Sequence, residues 1–186
     1  MKLFLIGAVT AGAALLHITP TVVLLKRNEV VARLMPGADQ FTARELHLSS
    51  GDARQLHDAV GWEPADGVIT FYVGKHQQQD QGALLFQRVD SPHGPLELAV
   101  AFEPGGGRIR GVEVTKATVE TKPWVAEALR AGLTAEYRGM ALDGTPGGAA
   151  KVRANVGAMP AYMAELTDKG VMHAAAAYRL FYSKGS

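Results

Sequence analysis

Cysteine is absent from the 186-residue sequence. Its absence excludes disulfides, thiolate metal sites, cysteine-ligated iron–sulfur clusters and covalent attachment of a c-type haem within this chain. An excess of charge is missing too, because 19 basic residues are balanced by 18 acidic ones and the basic residues are scattered along the chain. The sequence therefore has no electrostatic footprint for nucleic acid, and we expect no nucleic-acid partner.

Signatures of common catalytic sites are also missing. The chain contains no G-x-S-x-G elbow, no H-E-x-x-H helix and no P-loop. The glycine run Gly105–Gly107 lies between two predicted strands and opens no helix, so a hairpin turn explains it better than a phosphate-binding loop. Glu113 and Glu120 have no evident partner acid. The sequence thus favours a protein that is not an enzyme, without deciding the matter.

A long apolar run is present at the N-terminus. Leu3–Leu25 contains no Asp, Glu, Lys or Arg, and its 23 residues would span roughly 34 Å as a helix. A cleaved signal peptide is the alternative, but its apolar core would have to end near Ala13, well before the run does. We therefore predict that residues 1–27 form a single transmembrane anchor, with the lipid bilayer as one partner. The flanking basic residues slightly favour a cytoplasmic domain.

Two features of this run suggest a neighbour in the membrane. Gly7, Ala8, Ala11 and Gly12 form overlapping small-xxx-small pairs, which allow another helix to approach closely, although any alanine-rich span contains such pairs. His17 is the only ionisable side chain in the run. It is a candidate ligand for a haem or chlorin or a hydrogen-bond donor to a neighbour, unless it lies at the headgroup boundary.

The sequence after the anchor predicts an α+β domain. Residues 28–66 read as a connecting segment with short helices, in which Asn28–Met35 extends the anchor helix and the stretch Ser49–Asp52 caps a helix that ends at Gly61. Residues 67–186 read as the domain itself. Its first part is an antiparallel β-meander of four strands, with a polar loop at residues 75–81; the strands are 68–73, 83–89, 96–102 and 109–114.

Helices follow the predicted meander. Pro123 suits the first turn of a helix that continues to Tyr137, and residues 139–148 form a turn-rich connection. Pro160 opens a last helix with a possible irregularity at Gly170. Its inward residues are Met163, Leu166 and Val171.

The order of these motifs resembles a known family. V-x-V at 112–114 leads to Glu120-Thr121, then to L-x-x-x-Y-x-G at 133–139, and then to a Gly157-Ala158 turn that opens the last helix. This succession looks like the FMN-binding domain of the membrane-anchored flavin subunits of Rnf and sodium-pumping NADH:quinone oxidoreductase complexes. The resemblance includes the N-terminal anchor and extends over most of the chain.

The resemblance implies a periplasmic domain that holds FMN for electron transfer. In that family the flavin phosphate is esterified to a Thr in a pattern like [S/T]-G-A-T-x-[S/T]. Here residues 156–161 read VGAMPA, so Met159 stands where the acceptor Thr is expected. A thioether has no oxygen that could form a phosphoester. We therefore expect no covalently bound cofactor.

The resemblance, without the acceptor Thr, therefore implies a degenerate cofactor site. Its residues are Glu120, Thr121, Lys122, Gly157, Ala158 and Met159. Non-covalent FMN remains an alternative, because the helix amides after Gly157 and the cation of Lys122 suit a phosphate. Pro160, however, removes one of those amide donors.

Three functions follow as expectations. The favoured one is a non-catalytic accessory subunit of a larger membrane electron-transfer or photosynthetic complex, contacting other subunits through its anchor and domain surface. The alternative is an electron-transfer flavoprotein with non-covalent FMN. The third is an unrelated anchored binding domain for a lipid or a periplasmic ligand.

Overall fold

The structure, a computed structural model, describes residues 19–184. Six strands form one antiparallel sheet in the order β1-β6-β5-β4-β3-β2. The strands are β1 Thr21–Val23, β2 Gln40–His47, β3 Val68–His76, β4 Gln79–Val89, β5 Leu96–Phe102 and β6 Ile109–Thr118. The helices are α1 Arg27–Leu34, α2 Ser50–Val60, α3 Lys122–Arg130, the 3₁₀ helix Leu133–Tyr137, α4 Gly148–Asn155 and α5 Ala158–Lys184. The prediction of an α+β domain with an antiparallel meander and flanking helices is confirmed.

The C-terminal end of the predicted anchor is a strand, which corrects that part of the prediction. Thr21–Val23 pairs with β6, Thr21 lying opposite Thr118. The β-branched residues after Pro20 suit an extended edge strand, since their side chains fit a pleated surface. Helix α1 consequently begins afresh at Arg27 and does not extend the anchor. No helix within residues 19–184 is long and apolar enough to span a bilayer.

The rest of the predicted span lies outside the described residues. This holds for residues 3–18, including the small residues at 7–12 and His17. The expectations of a membrane anchor and of a pigment or haem contact therefore stay predictions.

The meander contains more strands than the sequence predicted. β2 lies within the segment 28–66 and pairs with β3 along its whole length, so the sheet extends across the expected boundary at residue 67. The predicted polar loop at 75–81 is instead the tip of a hairpin. Gln77 and Gln78 both have positive φ, 47° and 66°, as a tight two-residue turn requires. Neither is Gly or Asn, so the usual sequence signal for this turn was missing.

The sheet packs helices on both faces. On one face, α5 covers the strands with the predicted inward residues Met163, Leu166 and Val171, all of which are buried. On the other face, α1 places Val30, Leu34 and Met35 in a second apolar cluster. The same cluster includes Leu84, Ala99 and Ala101 from β4 and β5. Alternate residues of the central strands thus face two separate cores.

Helix α5 is the longest element, at 27 residues, and it continues through Gly170 without the predicted irregularity. A Cβ at Gly170 would lie 2.5 Å from Leu98 Cδ1 and 2.8 Å from Val89 Cγ2. Glycine at this position therefore allows α5 to pack closely on the sheet.

The far end of α5 is attached to α2. Ser49 caps α2 as predicted: its side chain accepts from the Asp52 amide at 3.2 Å, and the Ser49 amide donates to Asp52 Oδ2 at 2.7 Å. Gly61 ends the helix in the left-handed conformation. Lys184 also donates to Asp52 Oδ2. The Lys184 ammonium, followed by Ser49, lowers the pKa of Asp52 to about 2.

A half-buried carboxylate, that of Asp168, joins the helices that follow α3. The Tyr137 hydroxyl donates to Asp168 Oδ1 at 2.7 Å, and the Ala149 amide at the start of α4 donates to Asp168 Oδ2 at 2.9 Å. Burial, followed by the charge of Asp168, raises the pKa of Tyr137 above its usual range. The predicted helix to Tyr137 is broken at Gly132, where φ is 86°.

This connection requires close backbone approach at Gly148. An ideal Cβ there would lie 2.4 Å from Tyr137 Oη and 2.9 Å from Asp168 Oδ1. We predict that Gly148→Ala lowers the free energy of unfolding by about 2 kcal/mol, because the methyl group displaces the hydrogen-bonded pair. Chemical denaturation measures the loss.

Gly157→Ala is the matched control. Gly157 also lies at the start of a helix, but a Cβ there would meet nothing within 4 Å. We expect it to change stability by less than about 0.5 kcal/mol. Equal effects of the two substitutions would contradict the packing argument.

Candidate functional site

The first predicted junction, between β6 and α3, is closed by two threonines. The Thr118 amide donates to Thr121 Oγ1 and the Thr121 amide donates to Thr118 Oγ1, both at 3.1 Å, and the two hydroxyl oxygens are 2.9 Å apart. Thr118 and Thr121 are 0% and 1% exposed. The amide and hydroxyl of Thr121, a predicted site residue, therefore both form hydrogen bonds within the turn that starts α3.

Glu120 points instead to a histidine that the sequence did not single out. His93, in the turn between β4 and β5, places Nδ1 2.8 Å from Glu120 Oε1. Its ring makes T-shaped contacts with Trp124 on α3 and Tyr162 on α5, with centroid distances of 5.2 and 5.8 Å. These four side chains, which we call the His93 cluster, form a partly exposed patch that connects α3 with α5.

The second junction lies beside a different surface. Gly157 lines an open cleft of about 800 Å³ together with Arg130 and Ala131 at the end of α3 and Lys151 on α4. Cations and the amide end of α5 suit an anion here. Glu127 also lines the cleft, and Lys151 is paired with Glu136. These two carboxylates reduce the positive charge that the cleft offers to an anion.

The predicted site residues thus lie in two places. Glu120, Thr121 and Lys122 are at the start of α3, whereas Gly157 is beside its last turn. Nine residues of helix separate these positions by roughly 13 Å. Lys122, Gly157 and Ala158 are exposed, and Met159 is half-buried in the first turn of α5. Glu120, at the first junction, is linked through His93 to Tyr162 on α5, the helix that the second junction opens.

A second feature of the fold is a buried histidine on α5. His173 is 3% exposed and stacks on Trp62, with ring centroids 4.9 Å apart and planes inclined by 8°. Neither ring nitrogen has a hydrogen-bond partner. Burial, followed by the charge of Lys169, lowers the pKa of His173 to about 4. The backbone of Val60 acts in the opposite direction, but it does not form a hydrogen bond of normal geometry with the ring. The imidazole is therefore neutral at pH 7.

Sequence reasoning missed both histidines for a physical reason. His93 sits in a turn cluster whose Ser, Pro and Gly residues indicate only a reversal of the chain, and its partners come from elements about 27 or more positions away. The one sequence signal for His173 is its position after Gly170 on the inner face of an alanine-rich helix. A lone inward histidine carries no information about what lies opposite.

Comparison with known proteins adds no family assignment, since no family model, curated protein or solved structure matches the chain. Within residues 19–184, no group of three or more His, Asp or Glu side chains is placed to hold a metal ion.

The threonine pair at the β6–α3 turn gives one prediction. Thr121→Val keeps the shape of the side chain but leaves the buried Thr118 amide without its acceptor. The Thr118 hydroxyl still donates to the His93 carbonyl and accepts the Thr121 amide. We expect it to lower the free energy of unfolding by about 2 kcal/mol. Thr121→Ser, which keeps the hydroxyl, should lose less than half as much. Denaturant titrations of the two variants measure this difference, and equal losses would mean that the hydroxyl is unimportant.

His173 gives a prediction on pH. The folded state takes up the proton near pH 4, whereas an unfolded histidine takes it up near 6.5. The unfolded state therefore binds more protons as pH falls through this window, and stability falls by up to about 3 kcal/mol between pH 6.5 and 4.

Substitution of the ring isolates this contribution. His173→Phe should flatten the stability profile between pH 6.5 and 4, measured by denaturant titration at each pH. His57→Gln, which alters an exposed histidine, should leave the slope as it is. A His173→Phe profile as steep as that of the parent would refute the assignment.

Proposed function

We propose that the protein is a non-catalytic, membrane-anchored accessory subunit of a larger membrane electron-transfer or photosynthetic complex. Its domain would be an FMN-binding-like scaffold without covalent flavin, facing the periplasm as the resemblance implies. The observation that carries the proposal is Met159. It occupies the first turn of α5, at the position where the family has its flavin-bearing Thr.

The chemistry around Met159 supports this proposal. Residues 154–161 contain no hydroxyl side chain, so no neighbour can replace the missing acceptor. At the other junction, the Thr121 hydroxyl is buried and hydrogen-bonded to Thr118. The nearest hydroxyl along the chain is the phenol of Tyr162, and that of Thr121 is engaged in the fold.

Exposed apolar side chains support contact with a partner or a bilayer. Val23 is 59% exposed on β1, and Val119, directly after β6, is 53% exposed. Both belong to the sheet edge that adjoins the N-terminal apolar run. An apolar sheet edge beside an anchor is a suitable contact for another membrane subunit or for lipid.

The second candidate is an electron-transfer flavoprotein with non-covalent FMN. The cleft beside Gly157 favours it, because its volume suits a cofactor and Arg130 lies next to the amide end of α5. Pro160 in the first turn counts against it, since one phosphate-binding amide is missing.

The visible spectrum of the protein, purified in detergent from its native membrane, separates these candidates. We expect no absorption band of oxidised flavin after gel filtration. Retention of such a band at near-stoichiometric amounts would reject the accessory role in favour of the flavoprotein. Flavin that survives acid precipitation would, in addition, refute the argument from Met159. Co-purification of stoichiometric membrane subunits is the positive result expected of an accessory protein, and a chain that elutes alone would contradict it.

Variants at the degenerate motif complete the test. We expect that Met159→Thr, co-expressed with a flavin transferase, still gains no covalent flavin while Pro160 is present. Intact-protein mass spectrometry detects the added mass. The double variant Met159→Thr, Pro160→Ala is the matched comparison, because it restores both the hydroxyl and the amide. Flavinylation of the single variant would show that Met159 alone prevents attachment.

A further inference from the structure

A cleft opens on the α5 side of the sheet, between strands β2 to β4 and the last turns of α5. Its volume is about 310 Å³, at the small end of the range of ligand sites in proteins. The strands line it with Val73 and Ala83, which lie opposite each other in the ladder of β3 and β4. Helix α5 lines it with Tyr178 and Phe181. All four belong to the apolar core that α5 covers, so these walls lie on one face of the sheet.

The aromatic side of the cleft is fixed by packing. The Tyr178 ring stacks on Phe102 with centroids 4.1 Å apart, and its hydroxyl donates to the Glu103 carbonyl at 3.4 Å. The Phe181 ring stacks on Phe71 at 4.3 Å. Because these rings are held by the core, the cleft needs little rearrangement to accept a ligand.

One cation lines the cleft from the edge strand β2. The guanidinium carbon of Arg44 lies 4.9 Å from the centroid of the Phe181 ring, which places this exposed side chain on the α5 face. Within residues 19–184, Arg44 forms no ion pair. A guanidinium presents its N–H donors in a planar fork that matches a carboxylate. Arg44 is therefore an oriented cation that lacks an acidic partner in this part of the chain.

One carboxylate lines the same cleft from β4. Asp80 Oδ1 accepts a hydrogen bond from the Gly82 amide at 2.6 Å, which fixes the orientation of the carboxylate. Burial, followed by the charge of Asp80, raises the pKa of Tyr178 to about 12, so this charge acts on the lining of the cleft. Asp80, like Arg44, has no ion pair in the part of the chain that the structure describes.

The sheet holds these two charges apart. Arg44 and Asp80 are on strands that have β3 between them, so their strands are separated by roughly 10 Å. An anion alone would satisfy only Arg44, and a cation alone would satisfy only Asp80. A molecule that carries both charges several bonds apart would contact both.

We propose that this cleft binds a small zwitterion of the ω-amino acid type, with its carboxylate on Arg44 and its ammonium group on Asp80. Tyr182, which lines the cleft and is 44% exposed, gives the ammonium group an aromatic neighbour. The methylene chain of the ligand lies against the apolar lining between the two charges. This site is separate from the two junctions and does not depend on the proposed accessory role.

An NMR titration of the full chain in detergent with 6-aminohexanoate tests the proposal. Two signals report on the two ends of the ligand. The Gly82 amide, hydrogen-bonded to Asp80, reports on the carboxylate, and the Nε–H group of Arg44 reports on the guanidinium. We expect both signals to shift saturably and to give the same Kd.

Matched probes separate the two charges of the ligand. Hexanoate should shift only the Arg44 signal and 1-aminohexane only the Gly82 signal, each with an affinity at least roughly tenfold lower. Glycine, whose charges are too close together to reach both side chains, should also bind more weakly. Phosphocholine is a zwitterion without an N–H donor for Asp80, and we expect it to bind more weakly than 6-aminohexanoate.

Variants at the two charges complete the test. Arg44→Gln and Asp80→Asn each remove one charge at an exposed position, and the asparagine keeps an oxygen for the Gly82 amide. Each should weaken 6-aminohexanoate binding by a similar factor of roughly ten. Arg179→Gln is the matched control, because it removes an exposed cation of α5 that does not line the cleft. Its affinity should equal that of the parent, and circular dichroism checks that each variant is folded.

Several outcomes would overturn the proposal. A titration without saturable shifts at Gly82 and Arg44 would mean that the two charges are only solvated surface groups. Equal affinity for hexanoate or 1-aminohexane would show that a single charge is recognised, and equal affinity for glycine would remove the requirement for separated charges. Tighter binding of phosphocholine would assign the cleft to a lipid headgroup. Unchanged affinity in a folded Arg44→Gln or Asp80→Asn variant would remove that residue from the site.

Discussion

The helical layer depends on the carboxylate of Asp168. One of its oxygens accepts a hydrogen bond from the Tyr137 hydroxyl and the other accepts one from the Ala149 amide in the first turn of α4, so a single side chain on α5 sets the positions of two neighbouring helical segments. A negative charge at the start of α4 is also favourable toward the helix dipole. Because the cleft beside Gly157 is lined by α3, α4 and the two residues that precede α5, its shape depends in part on this connection. The contacts of Asp168 thus contribute both to the stability of the domain and to the geometry of the candidate site.

The elements that sequence reasoning predicted well have local causes. The cap at Ser49, the left-handed Gly61 and the proline at the start of α3 depend on residues within one turn of each other, and they are where we expected them. The sequence did not predict strands β1 and β2, for the opposite reason. The residues of β1 continue an apolar run that resembles a membrane span, and β2 is mostly exposed, so neither has the alternation of a half-buried strand. Only pairing with a distant strand makes them extended.

The same distinction applies to the candidate sites. The absence of a hydroxyl around Met159 could be read directly from the sequence, and the chemical argument against a phosphoester needed no coordinates. The engagement of Thr121 with Thr118 and the meeting of His93 with Glu120 depend on a turn and a hairpin that fold against α3. The stacking of His173 on Trp62 is less predictable still, because it forms only when the loop after α2 folds against the middle of α5.

The position of β1 has a mechanical consequence. The carbonyl of Pro20 already accepts the amide of Val119, and Thr21 is in register with β6. The chain is therefore paired with the sheet from Pro20 onward. A load applied to the segment ahead of Pro20 would pull on the hydrogen bonds between β1 and β6 before it reached any other element. Because β1 is part of the six-stranded sheet, the sheet itself, and not a loop, would resist that load.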